Sequence, residues 1–296
     1  MVREELSPLA CLIARHAKVD GINDTPIERL RLMRSHSPTL PIPWAYRPSL
    51  CVVAQGAKAA LWNGQSYRYD PSCYLVVSVD LPAVSHIAKA SVDEPFLSFH
   101  LGFDTALVAR YVEALPAAPM AAPMATTPTE PELADACFRL LSLLDTPEDI
   151  AALAPLIEQE IVYRLVKGGA GATLRHIAGN LGDNAVGRAV QWVKGHFCEP
   201  FTVQELANEV GLSESVLFER FKALTALSPI HYRTSLRLHE ARRLMVFEGF
   251  DAAQAAYRVG YGTPSQFSRE YRRFFGHSPA ADAGRLRQGH GLNLSV

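Results

Sequence analysis

The chain has 296 residues, 48% hydrophobic and 20% charged, with 29 Lys+Arg against 30 Asp+Glu. This composition excludes a disordered or fibrous protein, and the length accommodates one large domain or two modest ones. A formal net charge of −1 argues against a uniformly basic nucleic-acid binder.

No apolar run approaches the ~18 residues of a membrane span, so no membrane partner is expected. The opening Met1-Val2-Arg3-Glu4-Glu5 lacks the apolar region of a secretion signal, and a cytoplasmic location is expected. Cys11, Cys51, Cys73, Cys137 and Cys198 are scattered and form no Cys-x-x-Cys pair. They read as small buried hydrophobes rather than as disulfides or zinc ligands.

In chain order, residues 1–40 read as helical, with charges spread through 27–32. From 43 to 103 the texture changes to short strand-like runs at 49–53, 57–62, 65–69, 74–79, 84–90 and 96–101. Asn63-Gly64 between two of these runs predicts a tight hairpin, because a type I′ turn needs positive φ at both positions. Close-spaced strands of this kind predict a small antiparallel barrel or sandwich. Five prolines and five alanines among the seventeen residues 115–131 predict a loop. Two helical stretches follow, and in the second Ile150, Leu153, Ile157, Ile161 and Leu165 recur at helical spacing. That stripe has two readings, packing on its own domain or a dimerisation surface. The glycine-rich run 168–173 lacks the Gly-Lys-Ser/Thr ending of a phosphate loop and follows a helix, so it reads as a flexible connector. From about 184 onward the pattern is helical throughout.

The last part of the chain carries an internal repeat. Ala207 and Gly211 recur 49 residues later as Ala256 and Gly260. Ser213, Leu217, Phe221 and Ser228-Pro229 recur 50 residues later as Thr263, Phe267, Tyr271 and Ser278-Pro279. Each copy reads as helix–turn–helix. Thr202 with Glu205 forms a capping box, Phe201 can staple to Leu206, and Gly211 supplies the turn. In the second copy Asp251 starts the first helix, Gly260 ends it, and Thr263-Pro264 opens the next. A helical wheel buries Leu217, Phe221 and Leu224 in one copy and Phe267, Tyr271 and Phe274 in the other. It exposes Ser215, Phe218, Glu219 and Lys222, and correspondingly Ser265, Ser268, Arg269 and Arg272, where a recognition helix meets base edges.

At these residues the sequence resembles the AraC/XylS family of bacterial transcription regulators. The marks are Glu-Leu-Ala-x-x-x-Gly-Leu-Ser at 205–213, Arg-Leu-x-x-Ala-Arg-Arg-Leu at 237–244, Val-Gly-Tyr at 259–261 and Ser-Gln-Phe-Ser-Arg-x-Tyr-Arg-Arg-x-Phe-Gly at 265–276. Upstream, Ser-Val-Asp-Leu-Pro at 78–82, Glu-Pro-Phe-Leu-Ser-Phe at 94–99 and the run 153–165 look like the N-terminal domain of a subgroup of that family. The resemblance implies an α+β multidomain fold: a cupin-like antiparallel β-barrel, a helical linker or dimerisation segment, and a seven-helix DNA-binding module. The expected boundaries are 1–114 for the barrel with its leading helices, 115–131 for the loop and 132–183 for the helical segment. The DNA-binding module is placed at 184–288, with its helix-turn-helix units near 203–223 and 252–274, and a tail at 289–296. The chain departs from its relatives at Phe218-Glu219, where basic or polar residues are common, and at Thr225-Ala226, where Thr-Gly is more usual.

The expected function is a sequence-specific transcription regulator, an activator, whose barrel senses an unidentified small molecule. The helix predicted over 230–247 spans roughly 26 Å and can set two recognition helices near one DNA turn apart. One monomer then reads two adjacent major-groove segments of double-stranded DNA. Arg269 suits a bidentate contact to guanine, Glu219 a cytosine amino group and Phe218 a thymine methyl. Gln266 suits adenine but is also the capping-box partner of Thr263. Lys222, Arg272 and Arg273 suit phosphates. RNA polymerase is a partner if the protein activates, and a second copy of the chain if it dimerises.

Candidate effector-pocket residues are Trp44, Trp62, Tyr67, Tyr69, His86 and His100. Along 97–101 one of two alternating faces points inward, and the sequence leaves both open. His86 and His100 have no third ligand at a fitting spacing, so no metal is expected. No catalytic residue and no cofactor is assigned. Two alternatives stay open, a cupin-type metalloenzyme fused to a DNA-binding module and a regulator whose barrel only dimerises. The neutral net charge conceals an asymmetry. Residues 1–187 carry 15 basic and 20 acidic side chains, and residues 188–296 carry 14 and 10, a pointer to nucleic acid in the second half.

Overall fold

The computed structural model describes residues 7–114, 121–181 and 185–289. The N-terminal half is built on ten strands: β1 (Gly21–Asp24), β2 (Leu30–Ser35), β3 (Ile42–Tyr46), β4 (Ser49–Gln55), β5 (Ala57–Trp62), β6 (Gln65–Tyr69), β7 (Cys73–Val77), β8 (Leu81–Lys89), β9 (Phe96–Gly102) and β10 (Met124–Pro128). They form a six-stranded sheet in the order β1-β2-β9-β4-β7-β10 and a four-stranded sheet in the order β3-β8-β5-β6. Every pairing is antiparallel. The sheets share an interior core, and among the described residues they are not hydrogen-bonded around into a closed cylinder. Asn63 and Gly64 take φ of 49° and 76°, as the β5–β6 hairpin requires.

Helices α1 (Pro8–His16), α2 (Thr105–Glu113), α3 (Pro131–Ser142), α4 (Ile150–Lys167) and α5 (Gly171–Leu181) belong to the same half. They cover the outer face of the six-stranded sheet. Leu50, Val52, Tyr74, Val76, Leu97, Phe99 and Leu101 from that face share one core with Leu12, Ile13, Leu140, Ile161 and Leu165 from the helices. The stripe on α4 therefore packs mainly on its own domain, with Ile161 and Leu165 buried and Ile150 and Ile157 packed against the core. Leu153, with Leu156 and Tyr163, stays exposed.

Three local expectations are corrected. Within residues 1–40 only α1 is helical among the described residues. The segment 30–35 is β2, because Leu30 and Leu32 alternate with exposed Arg31 and bury beneath the helices. The proline-rich segment 115–131 contains β10, which pairs with β7 from Met124↔Val77 to Pro128↔Cys73. Proline is tolerated there because β10 is an edge strand. The glycine run 168–173, expected as a flexible connector, is a tight turn at 168–170 that passes directly into the first residues of α5. A side chain at Gly169 would meet Thr127 Cγ2 at 2.5 Å, and one at Gly171 would meet the Val166 carbonyl oxygen at 2.2 Å. Residues 115–120, the boundary at 183–184 and the tail from 290 lie outside the described residues.

The C-terminal half is all helical: α6 (Ala185–His196), α7 (Val203–Val210), α8 (Glu214–Thr225), α9 (Pro229–Phe247), α10 (Ala252–Arg258), α11 (Pro264–Phe275) and α12 (Pro279–Gly289). No helix among the described residues is long and apolar enough to cross a membrane.

Candidate nucleic-acid interface

Helices α7 and α8 form one helix-turn-helix unit, and α10 and α11 form the other. In the first, the Glu205 N–H donates to Thr202 Oγ1 at 3.2 Å and the Thr202 N–H donates to Glu205 Oε2 at 2.7 Å. This reciprocal box satisfies two orphan donors and fixes where α7 begins. Gly211, with φ 73°, ends it, and Ser213 caps α8. In the second unit Asp251 and Gln254 form the same box, Gly260 takes φ 88°, and Thr263 caps α11 with Pro264 at the first helical position.

The buried faces bring the recognition helices into register. Leu217, Phe221, Phe267 and Tyr271 are fully buried, and Leu224 is nearly so. Phe274 is not: it is 47% exposed, lying edge-on to His239, while Phe275 packs against Tyr271 with tilted rings and centroids 4.6 Å apart. The 3.6-residue period and the Tyr271–Phe275 pair at i, i+4 carry the buried stripe to Phe275 instead. Ser215, Phe218, Glu219 and Lys222 are exposed on α8, and Ser265, Gln266, Arg269, Arg272 and Arg273 are exposed on α11. Ser268 is half-buried. Among the described residues the side chains of Lys222, Arg269, Arg272 and Arg273 make no hydrogen bond or ion pair, so their charged ends are open to solvent. Gln266 is not the capping-box partner of Thr263. Its side-chain amide donates to Glu270 Oε1 at 3.1 Å, and Glu270 also accepts from the Tyr261 hydroxyl at 2.9 Å. The carboxylate one turn along outcompetes the helix start for that amide.

Between the units, α9 extends about 28 Å at 1.5 Å per residue. Its two buried arginines brace the module. The Arg237 guanidinium donates to the carbonyls of Phe197, Cys198 and Glu199 in the link between α6 and α7. Arg242 Nε donates to Asp282 Oδ2 at 2.7 Å, an oxygen that also accepts the Tyr271 hydroxyl at 2.9 Å. Arg285 Nη2 donates to Asp282 Oδ1 at 3.0 Å. Burial alone would raise the Asp282 pKa, but the charge and hydrogen bond of Arg242, with the Arg285 and Tyr271 bonds, hold it below the usual carboxylate range. The sequence pattern 237–244 thus carries structural arginines as well as surface ones.

Strand alternation sorts the candidate pocket residues. On β9, Leu97, Phe99 and Leu101 face the helices, so Phe96, Ser98 and His100 face the second sheet. On the four-stranded sheet Trp62, Tyr67, Tyr69, Ala83 and Ile87 share the inter-sheet core, with Trp44 packed against it. His86 alternates with Ser85 and Ile87 and falls on the opposite face, paired with Ala59. His86 and His100 therefore lie on different sides of a sheet. Among the described residues no group of three or more His, Cys, Asp or Glu could hold a metal.

Two features escaped the sequence reading. Lys58 lies buried between the sheets; its alternation with Ala60 and Trp62 was the available signal. Asp80 ties the halves together: its side chain accepts from Lys194 Nζ at 2.9 Å and Gln191 Nε2 at 3.0 Å, and its carbonyl accepts the Tyr232 hydroxyl at 2.9 Å. Ile42 of β3 packs beside this latch into the core around Leu238 and Met245 of α9. No local pattern could have paired these residues, because up to 152 positions separate them.

Residues 26–173 match the family model described as the AraC-type transcriptional regulator N-terminus, and residues 206–284 match a helix-turn-helix domain. The HTH-type transcriptional activator RhaS of Salmonella arizonae is 33% identical over 97 residues, 33% of this chain and 35% of that protein, and RhaS of Salmonella newport matches equally. The matched region spans about a third of the length of these curated relatives. Among solved structures, apo ToxT from Vibrio cholerae covers 89% of this chain and 99% of its own, with a TM-score of 0.52 and 12% identity. ToxT with bound unsaturated fatty acid covers 85% and 94%, with the same score and identity. At that identity the likeness is one of fold.

Proposed function

Because the chain belongs to the family of AraC-type transcriptional regulators, we propose that it is an activator that reads two adjacent major-groove segments of double-stranded DNA and answers to a small molecule held in its N-terminal half. The observation that carries the DNA reading is the doubled unit. Two capped recognition helices of equal length, α8 and α11, turn matching polar faces outward from a shared brace, α9. Arg269 is the leading base reader, since its guanidinium is unpaired and exposed and its fork matches guanine O6 and N7. Ser215, Phe218, Glu219, Ser265 and Ser268 flank the base edges. Gln266 joins them once its bond to Glu270 is released. Lys222, Arg272 and Arg273 meet phosphates. Activation implies contact with RNA polymerase; the relative RhaS is an HTH-type transcriptional activator.

The exposed apolar row Leu153, Leu156 and Tyr163 on α4 supports a homodimer joined through that helix. Binding of chromosomal DNA places the protein in the cytoplasm.

The test is a genome-wide binding map followed by fluorescence anisotropy on a recovered site. Arg269→Ala is expected to weaken specific binding by about 1–3 kcal/mol and to leave non-specific binding nearly unchanged. Unchanged specific affinity would remove Arg269 from base reading. An elution volume unaltered by Leu153→Glu with Leu156→Glu would remove the α4 dimer.

A further inference from the structure

Lys58 sits on the face of β5 that points at the six-stranded sheet, in line with buried Ala60 and Trp62. It is only 8% exposed. Its Nζ lies 3.8 Å from Met33 Sδ across the sandwich and 4.7 Å from the centre of the Trp44 ring. Neither contact neutralises a charge. Among the described residues no carboxylate pairs with it. The facing titratable group is Cys51 of β4, whose thiol burial pushes up to about 11, so it remains neutral. Burial pushes Lys58 itself down to about 8, opposed only by Cys51. An ammonium buried with no counter-ion is costly, and a methionine would fill the volume without that cost.

The surroundings are cationic. His100, on the inward face of β9, is pushed down to about 4, first by burial and then by Lys58, Arg31 and Arg47. It is therefore uncharged at neutral pH and adds no second positive charge. A further donor waits in the same interior: Trp62 is 4% exposed and its buried Nε1–H has no hydrogen-bond partner. The inward positions between Lys58 and Trp62, and opposite Trp44, are the small residues Ala60 and Ala83.

We infer that the interior between the two sheets is an anion site, in which Lys58 Nζ is the counter-charge for a small monocarboxylic acid with an apolar or aromatic body. The inference rests on the proposed small-molecule sensing and names the ligand class. One ammonium matches one carboxylate. A phosphate dianion would call for several convergent donors, such as an arginine fork or a helix N-terminus; the buried inward positions supply neither, and Arg31, beside His100, is exposed and paired with Asp24. Trp44, Met33, Trp62 and Tyr69 offer apolar walls.

The test uses the full chain with octanoate and 2-naphthoate, each against its primary amide, read by thermal shift and calorimetry. The acids are expected to bind at least ~10-fold more tightly than the amides, one carboxylate–ammonium pair being worth that ratio at about 1.4 kcal/mol per decade. Lys58→Met is expected to abolish the preference and, by removing an unpaired buried charge, to raise the ligand-free Tm. Lys58→Gln is expected to lose the preference too, and Lys58→Arg to keep part of it. A lower ligand-free Tm in Lys58→Met with acid binding intact would make Lys58 a structural residue and overturn the inference. Amides binding as well as acids would overturn the anion class and leave small-molecule sensing standing. No stabilisation by any of the four probes would count against both.

Discussion

Ala226 occupies the left-handed region, φ 54°, at the end of α8, a conformation that favours glycine. The turn survives because the Thr225 hydroxyl donates to the Phe221 carbonyl at 2.8 Å and accepts the Leu227 N–H at 3.2 Å. An L-residue there costs about 1–2 kcal/mol, part of which glycine returns as unfolded-chain entropy. Ala226→Gly is thus expected to stabilise the protein by up to about 1 kcal/mol in urea melts. Gly260 predicts the opposite sign. Its φ is 88°, and a side chain would lie 1.8 Å from the Cys198 carbonyl oxygen and 2.9 Å from Arg237 Nη2. Gly260→Ala is expected to destabilise by at least about 2 kcal/mol, because the strain falls on backbone that Arg237 pins in place. The repeat located Gly260 as the copy of Gly211, and the family resemblance singled out Ala226. That one tolerates alanine and the other does not depends on what lies opposite.

At the scale of elements, α9 is a brace held at two points along its length by different arginines. Asp282 of α12 and Arg242 of α9 are both buried. Removing one partner leaves an uncompensated buried charge, so Asp282→Asn is expected to cost about 3 kcal/mol. The pH dependence has a definite sign. The folded carboxyl pKa lies below its unfolded value, so the stabilisation is present above the ordinary carboxylate range and is lost as pH falls through the folded pKa. Melts of wild type and Asp282→Asn between pH 7 and pH 3 are expected to converge on acidification; a gap that stays constant would contradict this. The strands were legible where period two and turn residues coincided, as from β4 to β9. They were not legible in β2, where arginines break up the apolar pattern, nor in β10. In β10 the pairing comes from the free edge of β7, and composition taken alone argues against a strand.

Across the whole molecule, the Asp80 latch couples the β-sandwich half to the helix-turn-helix half. The pair with Lys194 is partly exposed, with side-chain accessibilities of 32% and 16%, and is expected to contribute about 1 kcal/mol. The Tyr232 hydroxyl adds a backbone acceptor beyond it. Lys194→Met with Tyr232→Phe is expected to speed amide exchange in β3, β8 and the first turns of α9, while α3–α4 and α10–α11 keep wild-type protection. Equal protection everywhere would show that the Ile42 packing and the remaining Gln191–Asp80 hydrogen bond suffice to hold the halves together. The charge asymmetry read along the chain agrees with this division, since the acidic half is the β-sandwich with its helices and the basic half carries both helix-turn-helix units.

Local chemistry is what the sequence determined by itself. Capping boxes, turn glycines and apolar periods act within a few residues, and a duplicated copy confirms them, so the two units and their outward faces could be read directly. The tertiary structure decided matters that depend on distant surfaces. Alternation shows that His100 and Leu101 point to opposite sides, but which side is inside depends on where the second sheet and the helices settle. The same cause hid Lys58, His86 and Asp80. A lysine in a strand is ordinary until a second sheet closes over it, and an aspartate after a strand is ordinary until another domain supplies its donors.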